Sequence, residues 1–206
     1  MSTPPSRPAG RLFLARHGQT RWNAENRRQG RADIPLDDTG RQQALGLAAL
    51  LAGERIDRIL VSPLGRAIET ARPLAEARGM PLQIEPDLLE FDYGTYGGSD
   101  RTAVKLKLRR DHLYTPVPGG ESLADAWMRA TRVASRIKPV LATSHLLIVA
   151  HQRLNRLLLG AVEGRSLEEA AASNDYRPPT GSVLAITLEL SGAELRVAAR
   201  NLLETA

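Results

Sequence analysis

The 206-residue chain contains no cysteine, which excludes both a disulfide framework and a cysteine-ligated metal. Lysine is almost as scarce. Lys105, Lys107 and Lys138 are the only ones, so the net charge of +5 rests on arginine. A planar guanidinium presents a fixed fork of donors, a bias that suits anionic ligands. The basic residues form no block, so the composition does not point to nucleic acid. No apolar stretch approaches the roughly 20 residues needed to span a bilayer. No internal repeat and no linker marks a second domain. What is present is ordinary for a globular protein: 42% hydrophobic and 25% charged residues, in a chain long enough for a sizeable core. Residues 1–10, rich in Pro and Ser, predict a disordered tail rather than a signal peptide, and residues 11–206 a single domain. These features together predict a soluble, cytoplasmic chain with neither a nucleic-acid nor a membrane partner.

The run Leu12-Phe13-Leu14-Ala15 stops abruptly at Arg16-His17-Gly18-Gln19-Thr20, as a buried strand does at its carboxyl end. In open α/β sheets, ligands bind in the crevice beyond such strand tips, and Gly18 lets the backbone approach one closely. Thr39 predicts the cap of a helix whose apolar side carries Ala44, Leu47, Ala48 and Leu51. Arg58-Ile59-Leu60-Val61 is a second strand, stopped by Ser62-Pro63, with Pro63 in the first turn of the next helix. Residues 81–84 form a short third strand, and 102–110 a basic helical stretch. Glu121-Ser122 opens another helix. Leu146-Leu147-Ile148-Val149-Ala150 is the most apolar strand and runs directly into His151, after which Leu154, Leu157 and Leu158 mark a helix. Residues 181–190 and 195–200 close the chain as an antiparallel pair. Strands alternating with helices imply an α/β fold, a three-layer α/β/α sandwich around a mostly parallel sheet.

Two strands therefore end in histidine, His17 and His151, and a third ends just ahead of Arg66. In a parallel sheet all three ends face one crevice, where Arg16, Arg66 and both histidines can converge on an anion. A neutral imidazole is a nucleophile, and arginine is a bidentate partner for phosphate. Each histidine alone fits an ordinary structural residue; the repetition of one design is the signal. His17, His151 and Glu90 also have the composition of a zinc set, but flanking arginines repel a cation.

The matching pieces run almost the length of the chain. They are Leu14-Ala15-Arg16-His17-Gly18-Gln19-Thr20 with Asn23, Gln29-Gly30 with Asp33, Ser62-Pro63-Leu64 with Arg66, Leu89-Glu90 with Gly94, Gly120-Glu121-Ser122, and Val149-Ala150-His151 with Arg156. In this order they resemble the histidine phosphatase (phosphoglycerate mutase-like) superfamily. The resemblance implies that His17 attacks phosphorus and becomes a transient phosphohistidine. It implies that Arg16, Arg66 and His151 clamp the phosphoryl oxygens, with Glu90 as proton donor to the leaving alcohol and Asp92 assisting. Gly18, Thr20, Asn23, Gln29 and Gly30 are the implied substrate contacts. No cofactor and no metal is implied, and the partner is a small phosphorylated substrate; the amphipathic helices are compatible with a homodimer.

Within the family, a mutase resembles a phosphatase with a longer, arginine-rich lid between the acid and the Gly-Glu-Ser segment. Here residues 86–120 form only a small lid insertion, which favours hydrolysis of small, sugar-type phosphomonoesters over a cofactor-dependent phosphoglycerate mutase. A non-catalytic phosphate-binding protein on the same fold is the reading from another class. His151-Gln152-Arg153 departs from the common pattern of two glycines after the second histidine and is similar to the fructose-2,6-bisphosphatase branch. Gln152 and Arg153 are accordingly expected to contact a polar or second anionic group of the substrate, and Tyr96 to form a wall of its pocket.

Overall fold

Leu12, Phe13, Leu14 and Ala15 are all fully buried because their strand, β1 (Arg7–Arg16), lies inside the sheet with a neighbour on each side. The computed structural model describes residues 7–104, 108–173, 176, 179–191 and 194–203. Lys105 and Lys107 lie outside the described residues. After β1 come α1 (Arg21–Ala24), α2 (Asp38–Leu50), β2 (Arg58–Val61), α3 (Gly65–Ala77) and β3 (Leu82–Ile84). Then follow α4 (Leu108–Asp111), α5 (Leu123–Leu141), β4 (Leu146–Ala150), α6 (Gln152–Val162), α7 (Leu167–Ala172), β5 (Val183–Ser191) and β6 (Glu194–Leu203). The strand order is β3-β2-β4-β1-β5-β6. The first four run parallel, and β5 and β6 are added antiparallel at the β1 side.

Strand alternation divides the core into two layers. Leu12 and Leu14 of β1 and Leu146 and Ile148 of β4 pack with α5, α6 and α7. Phe13, Ala15, Leu147 and Val149 point the other way and pack with α2 and α3. A strand covered on both faces must be apolar at every position, which is why β1 and β4 read as unbroken hydrophobic runs. The expected α/β/α sandwich with a mostly parallel sheet is the observed architecture.

Four local expectations are corrected. The predicted tail ends sooner: β1 begins at Arg7, and Arg7 and Pro8 pair with Leu190 and Glu189 across a register shift before Arg11. Composition alone did not reveal the partner strand. There Gly10 permits a close crossing, since a Cβ on it would fall 1.8 Å from the carbonyl oxygen of Ser144. The cap of α2 is Asp37, whose carboxylate accepts from the Gly40 N–H, rather than Thr39; an anion suits the positive helix end. Pro63 precedes α3, which starts at Gly65 after Leu64, in a turn where Ser62 Oγ accepts from the Leu64 N–H. Residues 101–104 form a turn instead of a helix. Asp100 Oδ1 accepts from Thr102 N–H, Thr102 Oγ1–H and Ala103 N–H, a local bonding that competes with helix formation.

Candidate active site

The parallel register brings the strand ends together. Arg16 pairs with Ala150 and Val61 with Val149, so the residues just beyond, His17, Ser62 and His151, share one edge of the sheet. The backbone N–H of His17 continues the ladder to Ala150 O at 3.0 Å, and that of Ser62 to Val149 O at 3.1 Å. The His17 and His151 rings lie 5.2 Å apart, centroid to centroid.

Each ring is oriented by a single partner. His17 Nδ1 lies 2.7 Å from Gly18 O, an acceptor, so Nδ1 carries the hydrogen and Nε2 keeps its lone pair. His151 Nε2 lies 2.8 Å from Ser62 Oγ, and its Nδ1 is buried with no hydrogen-bond partner. Burial holds both imidazoles well below their ordinary pKa. Arg66 and Arg16 add to this at His17, and Arg66, His17 and Arg16 at His151. Both rings are therefore neutral near pH 7.

Arg66, on the first turn of α3, is fully buried with no ion pair among the described residues. Its two terminal nitrogens donate to Ala32 O at 2.7 Å and Gly30 O at 2.8 Å, and its Nε is unpartnered. Burial pushes its pKa down to about 10, against the opposing pull of Glu90 and Asp33, so it stays cationic. Glu90 is 8% exposed, and its carboxylate is held by backbone N–H groups from two segments. Oε1 accepts from Phe91 at 2.8 Å and Leu154 at 3.2 Å, and Oε2 from Arg153 at 3.3 Å. The first turn of α6 thus fixes the carboxylate beside the histidines.

These groups border a cavity of about 270 Å³. Six arginines line it: Arg16, Arg28, Arg66, Arg101, Arg153 and Arg156. His17 and Glu90 line it too, with the uncharged Asn23, Gln29, Gly30, Tyr93 and Gln152. Asn23 spends Oδ1 on the N–H and hydroxyl of Thr20, leaving its amide nitrogen as the donor it can offer. Gln29 is 5% exposed, yet neither its Nε2 nor its Oε1 has a partner. Buried amides are rarely left so, and a ligand or water facing the cavity would satisfy it. Among the described residues, no three His, Asp or Glu side chains cluster so as to hold a metal ion, and no helix is long and apolar enough to cross a membrane.

Not every expected contact reaches the cavity. Thr20 is fully buried and caps α1, exchanging hydrogen bonds with Asn23. Gly18 is a packing residue: its N–H donates to Thr70 Oγ1 at 2.9 Å, and a Cβ on it would stand 2.5 Å from Gly40 O. Asp92 faces Arg31 at 3.5 Å and the Gly94 N–H rather than assisting Glu90. The tyrosine on the wall is Tyr93, while Tyr96 packs against the core. Arg28 and Arg101 escaped the sequence reading. The arginine-rich loop before Asp38 hinted at the first; the second has no local signal, since it depends on how residues 98–104 cross the loop that carries Arg28.

The chain is similar to known proteins in sequence and in structure. The adenosylcobalamin/alpha-ribazole phosphatase of Escherichia coli is 29% identical over 202 residues, covering 91% of this chain and 94% of its own. A protein of Photorhabdus laumondii named "Probable phosphoglycerate mutase GpmB" is 32% identical over 160 residues, 74% of each chain. A mycobacterial glucosyl-3-phosphoglycerate phosphatase in complex with VO3 superposes with a TM-score of 0.82 at 25% identity, covering 96% of this chain and all of that one. Residues 12–200 match the histidine phosphatase superfamily, branch 1, and the chain belongs to that family.

Proposed function

We propose that this protein is a phosphatase that hydrolyses small, sugar-type phosphomonoesters through a phosphohistidine at His17, without a metal ion or cofactor. The observation that carries the reading is the state of His17: neutral, with Nδ1 tied to a carbonyl and the Nε2 lone pair free, beside two arginines and a carboxylate on one cavity. In the first step His17 Nε2 forms a bond to phosphorus as the bond to the ester oxygen breaks in line. Glu90, as the general acid, gives a proton to the departing alcohol. In the second step water attacks phosphorus, Glu90 takes a proton from it, and the P–N bond breaks to release inorganic phosphate and restore His17.

Charge in such a transition state spreads over the equatorial oxygens. Arg16, the Arg66 Nε and, in the tautomer in which the Ser62 hydroxyl donates to Nε2, the Nδ1–H of His151 are positioned to donate to them, with the Gln29 and Asn23 amides. Donors already in place need no rearrangement as the charge develops, the largest single source of catalysis in many enzymes. The shortness in sequence of the stretch between Glu90 and Gly120 supports water reaching the phosphohistidine, the condition that separates hydrolysis from mutase transfer. The cytoplasm is the proposed compartment, with which a cysteine-free chain is compatible.

Product analysis tests the reading. With 3-phosphoglycerate and p-nitrophenyl phosphate as substrates, inorganic phosphate release is expected, reduced at least a thousandfold in His17→Ala. Migration of phosphate to 2-phosphoglycerate without release would instead establish a mutase, and full hydrolysis by His17→Ala would refute the mechanism.

A further inference from the structure

Besides Arg16 and Arg66, which serve the chemistry at His17, four arginines line the cavity, and three of them, Arg28, Arg101 and Arg153, have no direct ion pair among the described residues. Arg28 is 93% buried, at 7% exposure, yet its guanidinium donates only to neutral acceptors: Ser99 Oγ and Asp100 O, both at 3.1 Å, and Val104 O at 2.6 Å. Arg153 donates to Tyr93 Oη at 3.2 Å and lies 5.7 and 5.8 Å from the Phe91 and Tyr93 ring centroids. Arg101 has no acceptor for its guanidinium among the described residues. The one carboxylate on the wall, Glu90, is occupied by three backbone N–H groups.

The placement of Arg101 is built rather than incidental. Gly98 N–H donates to Arg28 O, Arg28 N–H to Ser99 O, and Arg101 N–H to Asn26 O. The Arg27 guanidinium adds a bond to Gly98 O at 2.7 Å, and Asp100 closes the turn around Thr102 and Ala103 with its carboxylate. The strap therefore spends the nearby acid on backbone groups and leaves the neighbouring cation facing the cavity. Gathering these charges is costly. Burial and Arg101 both lower the pKa of Arg16; burial, Arg101 and Arg153 lower that of Arg28 against the pull of Tyr93 and Asp100, while Tyr93 and Glu90 outweigh burial at Arg153 and raise it. Like charges gathered around one cavity, with no direct ion pair of their own among the described residues, fit an anion supplied by a ligand.

We infer that Arg28, Arg101 and Arg153 form a second anion subsite, so that the substrate is a phosphomonoester whose alcohol part carries a further anionic group, a carboxylate or a second phosphate. The inference rests on the phosphatase reading and narrows it. The guanidiniums of Arg28 and Arg153 are already locked by their contacts, so little side-chain entropy is lost when the second group binds. Arg101, more exposed, supplies the fork for bidentate contact.

Matched esters test this. In 3-phosphoglycerate a carboxylate replaces the hydroxymethyl group of glycerol 3-phosphate, and fructose 1,6-bisphosphate adds a phosphate to fructose 6-phosphate. Measurement at about 0.5 M salt, where screening reaches within roughly 5 Å, removes long-range steering of the more highly charged member. The wild type is expected to favour the two-anion member of at least one pair tenfold or more in kcat/KM, chiefly through KM. Whichever pair shows it identifies the second group. In Arg101→Gln and Arg153→Gln that ratio is expected to fall about tenfold. Equal kcat/KM within both pairs, or a ratio unchanged in both variants, overturns the inference. Calorimetric binding of the same esters to His17→Ala keeps the two readings separable. A binding preference lost in His17→Ala/Arg101→Gln supports the subsite even if the wild type hydrolyses nothing; equal binding within both pairs refutes it.

Discussion

At the scale of single residues, the site is organised by what each polar group is denied. His17 and His151 are kept neutral by burial and by Arg66 and Arg16, and this preference has a consequence for stability. In the unfolded chain both histidines return to an ordinary pKa near 6.5 and take up protons below it, whereas the folded rings do not. The unfolded state then binds more protons, so stability falls as pH drops below about 6.5, by up to about 1.4 kcal/mol per pH unit for each ring. Urea unfolding measured from pH 7.5 to pH 5 is expected to show this slope. It should be shallower in His17→Gln and in His151→Gln, with His145, also held low by burial, supplying part of what remains. An identical slope in wild type and both variants would mean that the rings are not held neutral. Arg66 follows the same logic with the opposite outcome: it is buried among carbonyls, with no ion pair among the described residues, and it stays charged.

At the scale of elements, the loop after β1 is pressed against the start of α2. A Cβ on Gly40 would fall 2.0 Å from Gln19 O, and one on Gly18 2.5 Å from Gly40 O, so backbone meets backbone with no side chain able to yield. Gly40→Ala is therefore expected to cost on the order of 1–3 kcal/mol and to lower the melting temperature, with activity falling further because the displaced segment carries His17. A melting temperature within a degree of wild type would show that the loop has room to shift. Thr70 on α3 ties the same loop down, accepting from the Gly18 N–H and donating to Arg66 O at 2.6 Å, which links the segment of His17 to that of Arg66 through one hydroxyl. From α6, Asn155 donates to Ala15 O at 2.9 Å and to Tyr176 Oη at 2.8 Å, fixing the helix to the end of β1. These local contacts explain why Gly18 and Thr20 look functional in a sequence while acting as supports.

At the scale of the whole molecule, the legible parts are those coded locally. The change from apolar run to Arg16-His17, and from Ala150 to His151, marks a strand end within a few residues, and parallel strands bring such ends to one edge. Arg28 and Arg101 were not legible as a pair, because their meeting depends on contacts between segments some seventy residues apart, such as the Arg28 N–H to Ser99 O bond at 2.9 Å. The early start of β1 was hidden for a similar reason: Arg7 and Pro8 become strand only because β5 offers them an edge. The assembled fold places a lone-pair nitrogen beside fixed cations, and the central claim is that this nitrogen becomes covalently phosphorylated. Rapid acid-free quenching during turnover of ³²P-labelled 3-phosphoglycerate, or of labelled p-nitrophenyl phosphate, tests it most directly. The account predicts a protein-bound phosphate that is stable to base, labile to acid, mapped to His17 and absent from His17→Ala. Turnover with no bound label, or a label that persists in His17→Ala, would contradict it.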